Sequence, residues 1–426
     1  MAQVAQAVAS LVFVLGYAVI ALETKLKVGK SAVALSMGGL LWILLGLFDP
    51  QGIEENILHT GSEIFSLVAF LLAAMSLVEI AGHYRLFDFI KSKLSSWNMS
   101  LTGQFCAVLT ITFFLSAVLD NLTTTIVMIQ IARKFFWDEN LYLASAGVVI
   151  AANAGGAFSP IGDVTTIMLW LADKFSAIEI MLYGFLPSLA ALLVSMALFV
   201  RKIKPEPSVR TDAVPAIAML QSEKAVLGFV LISFLLPVLV KGVHLPPVLG
   251  ILLGLGMTWM LVDIFKRTSG AETHLTASIE HLIQKSDLGS IKFFIGILLA
   301  VSALGSLGVL EAVSNGVYGA DTETSRVIVG NIGLGAISSV LDNIPLTAIA
   351  IKILDVSDPQ LWVLLALMVG IGGSLLSLGS AAGVVAMGLV KGLTFEKYFR
   401  VAFVPALLGF AACALVWIVQ YSLIAK

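Results

Sequence analysis

Two aspartates that lie in the middle of apolar runs are the residues best placed to do chemistry in this chain. The segment SAVLDNLTTT, residues 116–125, has a near copy, SSVLDNIPLT, at residues 338–347, so Asp120 and Asp342 occupy equivalent places. A charged side chain at the centre of a bilayer costs about 2.5 to 3.5 kcal/mol on insertion scales, and such residues usually mark an ion or substrate pathway. The duplicated Asp-Asn pair therefore predicts a polar site to which both copies contribute.

A third carboxylate lies in a segment that is rich in glycine and proline. Residues 151–169, AANAGGAFSPIGDVTTIML, contain Asp163 and follow the first Asp-Asn pair, and residues 370–383, GIGGSLLSLGSAAG, follow the second. Gly and Pro free backbone groups that lipid cannot satisfy, so both segments predict helices that break next to protein or water. When the glycine pairs are aligned, Ser380 falls opposite Asp163. The aligned pairs are Gly155 with Gly372 and Gly156 with Gly373.

The oxygen-rich side chains of these segments suit a small, hard cation. Carboxylate, hydroxyl and carbonyl oxygens are the ligands that such ions prefer, and no thiolate or histidine cluster suggests a soft metal. Asp120, Asp163 and Asp342 could also bind protons when the cation leaves, because burial disfavours the charged form of a carboxyl group. Neither tip contains a Lys or Arg to pair with its aspartate. Competition between a proton and a cation for one carboxylate would couple their movements.

The side chains next to the two aspartates have two open interpretations. Asn121 or Thr123 in the first copy, and Asn343 in the second, are predicted to cap the helix that follows, since an Asn or Thr oxygen accepts from free backbone amides there. The asparagines could equally be cation ligands. Asn153, ahead of the first break, is expected to line the same cavity.

The composition indicates a membrane protein. Hydrophobic residues make up 59% of the 426 residues and charged residues 12%, far from the mixture typical of soluble domains. A net charge of −2 without a basic patch argues against nucleic-acid binding. Cys106 and Cys413 lie in apolar runs and are expected to serve packing only. No cofactor is expected.

Apolar segments long enough to cross the roughly 30 Å hydrocarbon core as helices predict ten crossings. Two further runs, 102–136 and 324–354, contain the Asp-Asn pairs and are interpreted as re-entrant hairpins that enter and leave on one side. The ten predicted crossings are 5–24, 31–48, 61–82, 141–172, 178–200, 224–242, 246–265, 290–312, 360–390 and 401–424.

Loop charges predict the orientation and an inverted repeat. Lys and Arg accumulate in alternate short loops, which places those loops in the cytoplasm and both termini outside it. Residues 1–202 and 223–426 then form two halves joined by a cytoplasmic linker, 203–222, with a surface helix at 266–289. Each half has five crossings, one hairpin and one broken helix, so the second half is inserted upside down. This architecture is typical of secondary transporters, whose site lies between the repeats near the midplane.

Four motifs of the chain, taken together, resemble the NhaD family of sodium/proton antiporters, within a superfamily that includes arsenite permeases and dicarboxylate carriers. The motifs are FLSAVLDNLTTT, NAGGAFSPIGDVTT, SSVLDNIPLT and GGSLLSLGSAAG. The resemblance implies that sodium or lithium leaves the cell in exchange for protons. It also implies a bacterial inner membrane, with the chloroplast envelope as the alternative location, and it suggests a homodimer. Functional roles are implied for Asp120, Asn121, Asn153, Asp163, Thr165, Thr166, Ser338, Asn343, Ser377 and Ser380, with a pH response at His59.

Other functions fit the residues less well. Arsenite permeases share an LDN-type tip, and the GDVTT acid and hydroxyls favour the antiporter over them. Dicarboxylate carriers have Ser-Asn-Thr tips with few carboxylates. An intramembrane aspartyl protease would need YD and GxGD motifs, whereas Asp120 and Asp342 follow Leu. A channel for water or neutral solutes would be expected to have an uncharged lining, so a transporter rather than an enzyme or a channel is predicted.

Overall fold

A computed structural model describes residues 2–48, 50, 52–97, 99–204, 219–268, 287–319 and 323–424. All regular secondary structure in these ranges is helical. The helices of the first half are α1 (Ala2–Ala21), α2 (Glu23–Leu26), α3 (Lys30–Phe48), α4 (Ile53–His83), α5 (Leu86–Ser96), α6 (Leu101–Ser116), α7 (Asn121–Ala132), α8 (Asp138–Ala157), α9 (Val164–Leu171) and α10 (Ala177–Val200). Those of the second half are α11 (Gln221–Gly242), α12 (Pro247–Thr268), α13 (Leu288–Ser306), α14 (Val309–Val317), α15 (Thr324–Ile337), α16 (Asn343–Ile353), α17 (Pro359–Gly372), α18 (Ala381–Leu389) and α19 (Phe395–Ile424).

Eight of the described helices are long and apolar enough to cross a membrane: α1, α3, α4, α10, α11, α12, α13 and α19. They correspond to the eight predicted crossings that are not broken. Their outward surfaces carry large apolar side chains, such as Leu47, which is 76% exposed, and Ile178, which is 74% exposed. Lipid can cover such surfaces, so the prediction of an all-α, multi-pass membrane protein is confirmed.

Both Asp-Asn segments fold as two helices joined by a short turn. In the first, α6 ends at Ser116 and α7 begins at Asn121; in the second, α15 ends at Ile337 and α16 begins at Asn343. All four helices are too short to be candidate spans. The helix-turn-helix form of the predicted hairpins is therefore present, and entry and exit on one side stay a prediction.

Both predicted broken helices are interrupted, within the segments 151–169 and 370–383. Helix α8 continues through its glycine pair and ends at Ala157, and α9 begins at Val164. Helix α17 likewise includes Gly372, and α18 begins at Ala381. The predicted interruptions are therefore present. The first contains Pro160 and Gly162, whereas Gly155 and Gly156 lie inside α8; the second begins at the glycine pair, with Gly373 as the cap of α17.

The first glycine of each pair also allows two backbones to approach closely. A β-carbon on Gly155 would overlap the carbonyl oxygen of Phe113 in α6, and one on Gly372 would overlap that of Gly335 in α15. Each broken helix is thus pressed against the first helix of the preceding hairpin, a packing that only small residues permit.

Equivalent hydrogen bonds accompany these glycine contacts in the two halves. The Ser116 hydroxyl donates to the Ala152 carbonyl over 2.7 Å, and the Ser338 hydroxyl donates to the Val369 carbonyl over 2.8 Å. These positions correspond in the alignment of the Asp-Asn pairs and glycine pairs. The sequence repeat is therefore also a repeat of side-chain contacts.

Three smaller predictions differ from the structure or lie outside it. The predicted crossing 290–312 ends earlier, at Ser306, because α14 begins as a separate helix. Most of the predicted surface helix, 266–289, and of the linker, 203–222, lies outside the described residues. Helix α5 was not predicted.

Candidate functional site

A cavity of about 80 Å³ lies where the two hairpin tips meet the two helix breaks. It is bounded by the amino-terminal ends of α7, α9, α16 and α18, which come from both halves of the chain. The predicted site residues that line it are Asp120, Asn121, Asp163, Asp342, Asn343 and Ser380. Lys30, Asp287 and Ser290 also line it, and sequence reasoning did not place them there.

The first tip is organised by its aspartate, which caps the helix that follows. One oxygen of Asp120, Oδ1, accepts a hydrogen bond from the Thr123 amide over 2.8 Å. The side chain of Asn121 points elsewhere, and its Nδ2 donates to Oδ1 of Asn153 over 3.1 Å. The prediction that Asn121 or Thr123 provides the cap was wrong, because an aspartate at this position satisfies the free amide of the first turn.

The second tip is also capped by its aspartate and carries an ion pair that the first tip lacks. Asp342 Oδ1 accepts from the Ile344 amide over 3.1 Å, so the predicted cap at Asn343 was wrong. The Asp342 amide donates to the Tyr17 hydroxyl over 3.1 Å, which attaches the tip to α1. Lys30 Nζ lies 3.7 Å from Asp342 Oδ2. Its distance in sequence from the tip explains why the motif itself did not indicate this partner.

Asp163 is the most buried of the three carboxylates, with only 4% of its surface exposed. It caps α9, and its Oδ1 lies 3.5 Å from the Thr165 amide, a long hydrogen bond. The Thr166 hydroxyl donates to the Asp163 carbonyl over 2.8 Å. The second carboxylate oxygen, Oδ2, has no hydrogen-bond partner.

Asn153 does not line the cavity but joins the two halves beside it. Its Nδ2 donates to the hydroxyl oxygens of Ser374, at 2.8 Å, and Ser380, at 3.1 Å. Its Oδ1 accepts from Asn121, which does line the cavity. Asn153 therefore acts on the site through Asn121 and Ser380.

The remaining predicted residues of the second half, Ser338 and Ser377, do not line the cavity. The Ser338 hydroxyl lies 2.8 Å from the carbonyl oxygens of both Gly335 and Val369, to which it can donate its hydrogen bond. Ser377 lies in the second break and has a φ of 60°. This left-handed conformation is uncommon for residues other than glycine. Its buried hydroxyl has no partner in the described structure.

Unpartnered buried oxygens at this cavity are the strongest sign of a ligand. Buried polar atoms almost always have a hydrogen-bond partner, so exceptions call for a bound group. Asp163 Oδ2 and Asn343 Oδ1 lack one, and both residues line the cavity. Thr165 Oγ1, next to Asp163, also lacks one. Within the described ranges no three His, Cys, Asp or Glu residues converge on one metal position, so neutral oxygens would have to complete any cation shell.

A second cavity, of about 240 Å³, lies at the opposite ends of two of these helices, α9 and α16. It is lined by Leu171 of α9 and Lys352 of α16, whereas the first cavity is lined by the starts of those helices. Helices α4 and α13 also contribute to both. Glu63 and Lys352 form an ion pair at 3.1 Å in this second cavity.

His59 lies apart from the first cavity, which we call the carboxylate cavity because Asp120, Asp163 and Asp342 line it. Its Nδ1 is 3.7 Å from Glu63 Oε1, and its side chain is 67% exposed. Any effect of His59 would therefore act on Glu63 at the second cavity and not directly on the buried aspartates.

Comparison with known proteins finds one transporter family and several sodium/proton antiporters. The pattern of the citrate transporter family CitMHS matches residues 17–372. Sodium/proton antiporter 2 of Arabidopsis thaliana is 35% identical, over 97% of this chain and 99% of its own length. Sodium/proton antiporter 1 of the same plant is 35% identical, over 97% of this chain and 72% of its own. The Na+/H+ antiporter NhaD of Alkalimonas amylolytica is 33% identical, over 89% of this chain and 83% of its own.

Proposed function

The chain belongs to the NhaD-type sodium/proton antiporters within the CitMHS family, and from this premise we propose that it exchanges cytoplasmic sodium or lithium for external protons by alternating access. The observation that carries the proposal is the pair of unpartnered buried oxygens, Asp163 Oδ2 and Asn343 Oδ1, in one cavity between the hairpin tips. Oxygens of this kind can replace the water shell of a small cation.

Coupling follows from the carboxylates that line this cavity. A sodium ion and a proton both neutralise a carboxylate, and the low dielectric constant of the interior makes simultaneous binding to one group unfavourable. Asp163, as the most buried of the three, is proposed as the main exchange site, with Asp120 and Asp342 at its sides. Asn121, Asn343, Thr165, Thr166 and Ser380 would supply the neutral oxygens, and Asn153, Ser338 and Ser377 would position them.

The predicted orientation of the repeats would give the site an access route from each side of the membrane. If the Lys- and Arg-rich loops are cytoplasmic, both termini lie outside the cytoplasm and the halves 1–202 and 223–426 are inverted. The carboxylate cavity then faces the cytoplasm, because Lys30 and Asp287 begin helices at that side. The cavity with Glu63 and Lys352 would be the outer vestibule. We place the protein in a bacterial plasma membrane, where a homodimer is the expected assembly.

The charge of the cavity argues against an anion as the substrate. Four aspartates line it, Asp120, Asp163, Asp287 and Asp342, against Lys30 as the one basic residue among the described lining residues. A citrate or dicarboxylate ion would be repelled by this excess of negative charge, whereas a cation would be attracted. The family description as citrate transporters therefore does not set the substrate proposed here.

The decisive experiment measures proton movement in everted membrane vesicles with a fluorescent pH dye. Sodium and lithium, added separately, should each drive protons out of acidified vesicles, whereas potassium, citrate and arsenite should not. A signal with arsenite or citrate and none with sodium would overturn the proposal. Vesicles that carry Asp163→Asn provide the control, because the substitution preserves side-chain shape and removes the charge.

A further inference from the structure

Lys30 lines the carboxylate cavity, and its ammonium group lies beside one of the candidate cation ligands, Asp342. It begins α3, and its amide donates to Oε1 of Glu23 over 2.9 Å, which fixes the start of the helix. Its ammonium group lies 3.7 Å from Asp342 Oδ2 and 4.7 Å from the centre of the Phe293 ring. The side chains of Lys30 and Asp342 are 30% and 23% exposed, so water and ions can reach the pair.

The surroundings of Lys30 are strongly acidic. Asp120, Asp163, Asp287 and Asp342 line the same cavity, and among these Asp342 is its ion-pair partner. Neither Asp120 nor Asp163 forms an ion pair with any Lys, Arg or His of the described structure. A single basic side chain therefore sits at one of the three candidate carboxylate ligands.

We propose that Lys30 is a tethered competitor of the transported cation: its ammonium group occupies Asp342 when the site is empty and leaves it when sodium binds. The inference rests on the proposed exchange of sodium for protons. A carboxylate in the interior is costly without a counter-charge. Lys30 supplies that counter-charge in the empty state, and a sodium ion takes it over in the loaded state.

The physical consequence is a higher sodium requirement. Sodium must displace an ammonium group that cannot diffuse away, so the tether weakens apparent sodium binding and favours release. Because the Lys30 stem is flexible and its head is partly exposed, the group can move to water at little cost. Asp120, which has no such partner, is expected to lack this competition.

The experiment compares sodium binding by the purified full-length protein with and without Lys30. A ligand that binds the folded state raises the melting temperature, so the sodium concentration at half-maximal stabilisation reports its affinity. Lys30→Gln should lower this concentration about tenfold, since the loss of one competing charge at a partly exposed site is worth roughly that factor. Lys30→Arg keeps the charge and should stay within about twofold of the parent protein.

Lys241→Gln is the matched control. Lys241 also pairs with an aspartate, Asp173, but away from the carboxylate cavity. Its sodium midpoint should equal that of the parent. In an Asp342→Asn background, Lys30→Gln should produce no further change, because the competition requires the carboxylate. An unchanged or higher sodium midpoint in Lys30→Gln would overturn the proposal.

A second measurement needs no variant and covers the case in which Lys30→Gln does not fold. Lysine acetylation by a water-soluble reagent, followed by peptide mass spectrometry, reports how freely each amine is available. Saturating sodium should speed acetylation of Lys30 several-fold relative to choline and leave Lys241 unchanged. Equal Lys30 rates in sodium and choline would refute displacement. If the parent protein shows sodium-driven proton movement and these tests fail, only the role of Lys30 is wrong; if that movement is absent, the proposed exchange itself fails.

Discussion

Asp163 in the first half and Ser380 in the second occupy equivalent places, since each is the residue before the helix that follows a break. Each also meets the broken helix of the other half. Ser380 meets Asn153, whose Nδ2 is 3.1 Å from its hydroxyl. Asp163 meets Gly370, where a β-carbon would lie 3.3 Å from Oδ2. In the alignment of the glycine pairs, Asn153 and Gly370 are themselves equivalent.

These two contacts have the same backbone arrangement but differ in the side chains that they bring together. On one side a neutral Asn and Ser complete a hydrogen bond, and on the other a Gly leaves the Asp163 Oδ2 atom without a partner. The backbone contacts around both are the same, because Gly155 and Gly372 each meet a carbonyl oxygen of the preceding hairpin. The duplicated backbone therefore builds two equivalent positions, and the side chains leave only one with a free carboxylate oxygen.

The largest expected effect is on stability, and it tests whether the backbone contacts of Gly155 and Gly372 are equivalent in the two halves. Gly155→Ala and Gly372→Ala should each destabilise the protein by about 3 kcal/mol or more, because the added methyl group forces two backbones apart. Fluorescence-detected size-exclusion chromatography and thermal melting would measure the loss. Gly333→Ala is the control, since its β-carbon would meet no atom within 4 Å. A severe loss in one half and a mild one in the other would contradict the equivalence.

The next effect is on transport, and it tests the difference between Asp163 and Ser380, which occupy equivalent positions. Asp163→Asn should reduce sodium-driven proton movement by two to three orders of magnitude, because a charge in contact with a cation is worth about 4 kcal/mol at a partly screened site. Ser380→Ala removes a hydrogen bond worth about 1 kcal/mol and should keep the rate within about tenfold of the parent. Initial rates in the vesicle assay would decide. Equal losses would show that both sides bind the cation.

Asn153→Ala should have an intermediate effect, mainly on stability. Its removal leaves Asn121, Ser374 and Ser380 without their shared partner, which costs about 1 to 3 kcal/mol for buried polar groups. The melting temperature of the purified protein should fall accordingly. Ser374→Ala, which breaks one of these bonds, should cost less. If the two variants were equally stable, Asn153 would not be the bridge between the halves.

The smallest expected effect comes from the contact between Gly370 and Asp163. Gly370→Ala would place a methyl group 3.3 Å from Asp163 Oδ2 and 3.2 Å from the Ala157 side chain, a contact that small shifts can relieve. Transport should fall about two- to fivefold, with a stability change below about 1 kcal/mol. Initial rates and melting curves, with Gly333→Ala as the control, would separate the two quantities. An unaffected rate would mean that the space beside Oδ2 is not used.

Much of the fold was predictable because it depends on local properties of the chain. The eight unbroken crossings follow from the length of apolar runs, which lipid requires whatever the packing, and the Asp-Asn motifs marked the two segments that fold as short helices joined by a turn. Details at the tips were predicted less well. Both aspartates cap their helices, whereas Asn121, Thr123 and Asn343 were expected to do so, because the choice between adjacent capping residues depends on where the turn ends.

The sequence by itself determined the class of protein, the repeat, and the three acids at its centre, since hydrophobicity and motif spacing are properties of the chain alone. Only the tertiary structure decided which of these acids has a partner. Lys30 and Asp342 are paired from opposite halves, as are Asn153 and Ser380, and no local pattern connects residues so far apart. Such contacts depend on how two independently patterned halves pack together, and that packing leaves the oxygen of Asp163 free.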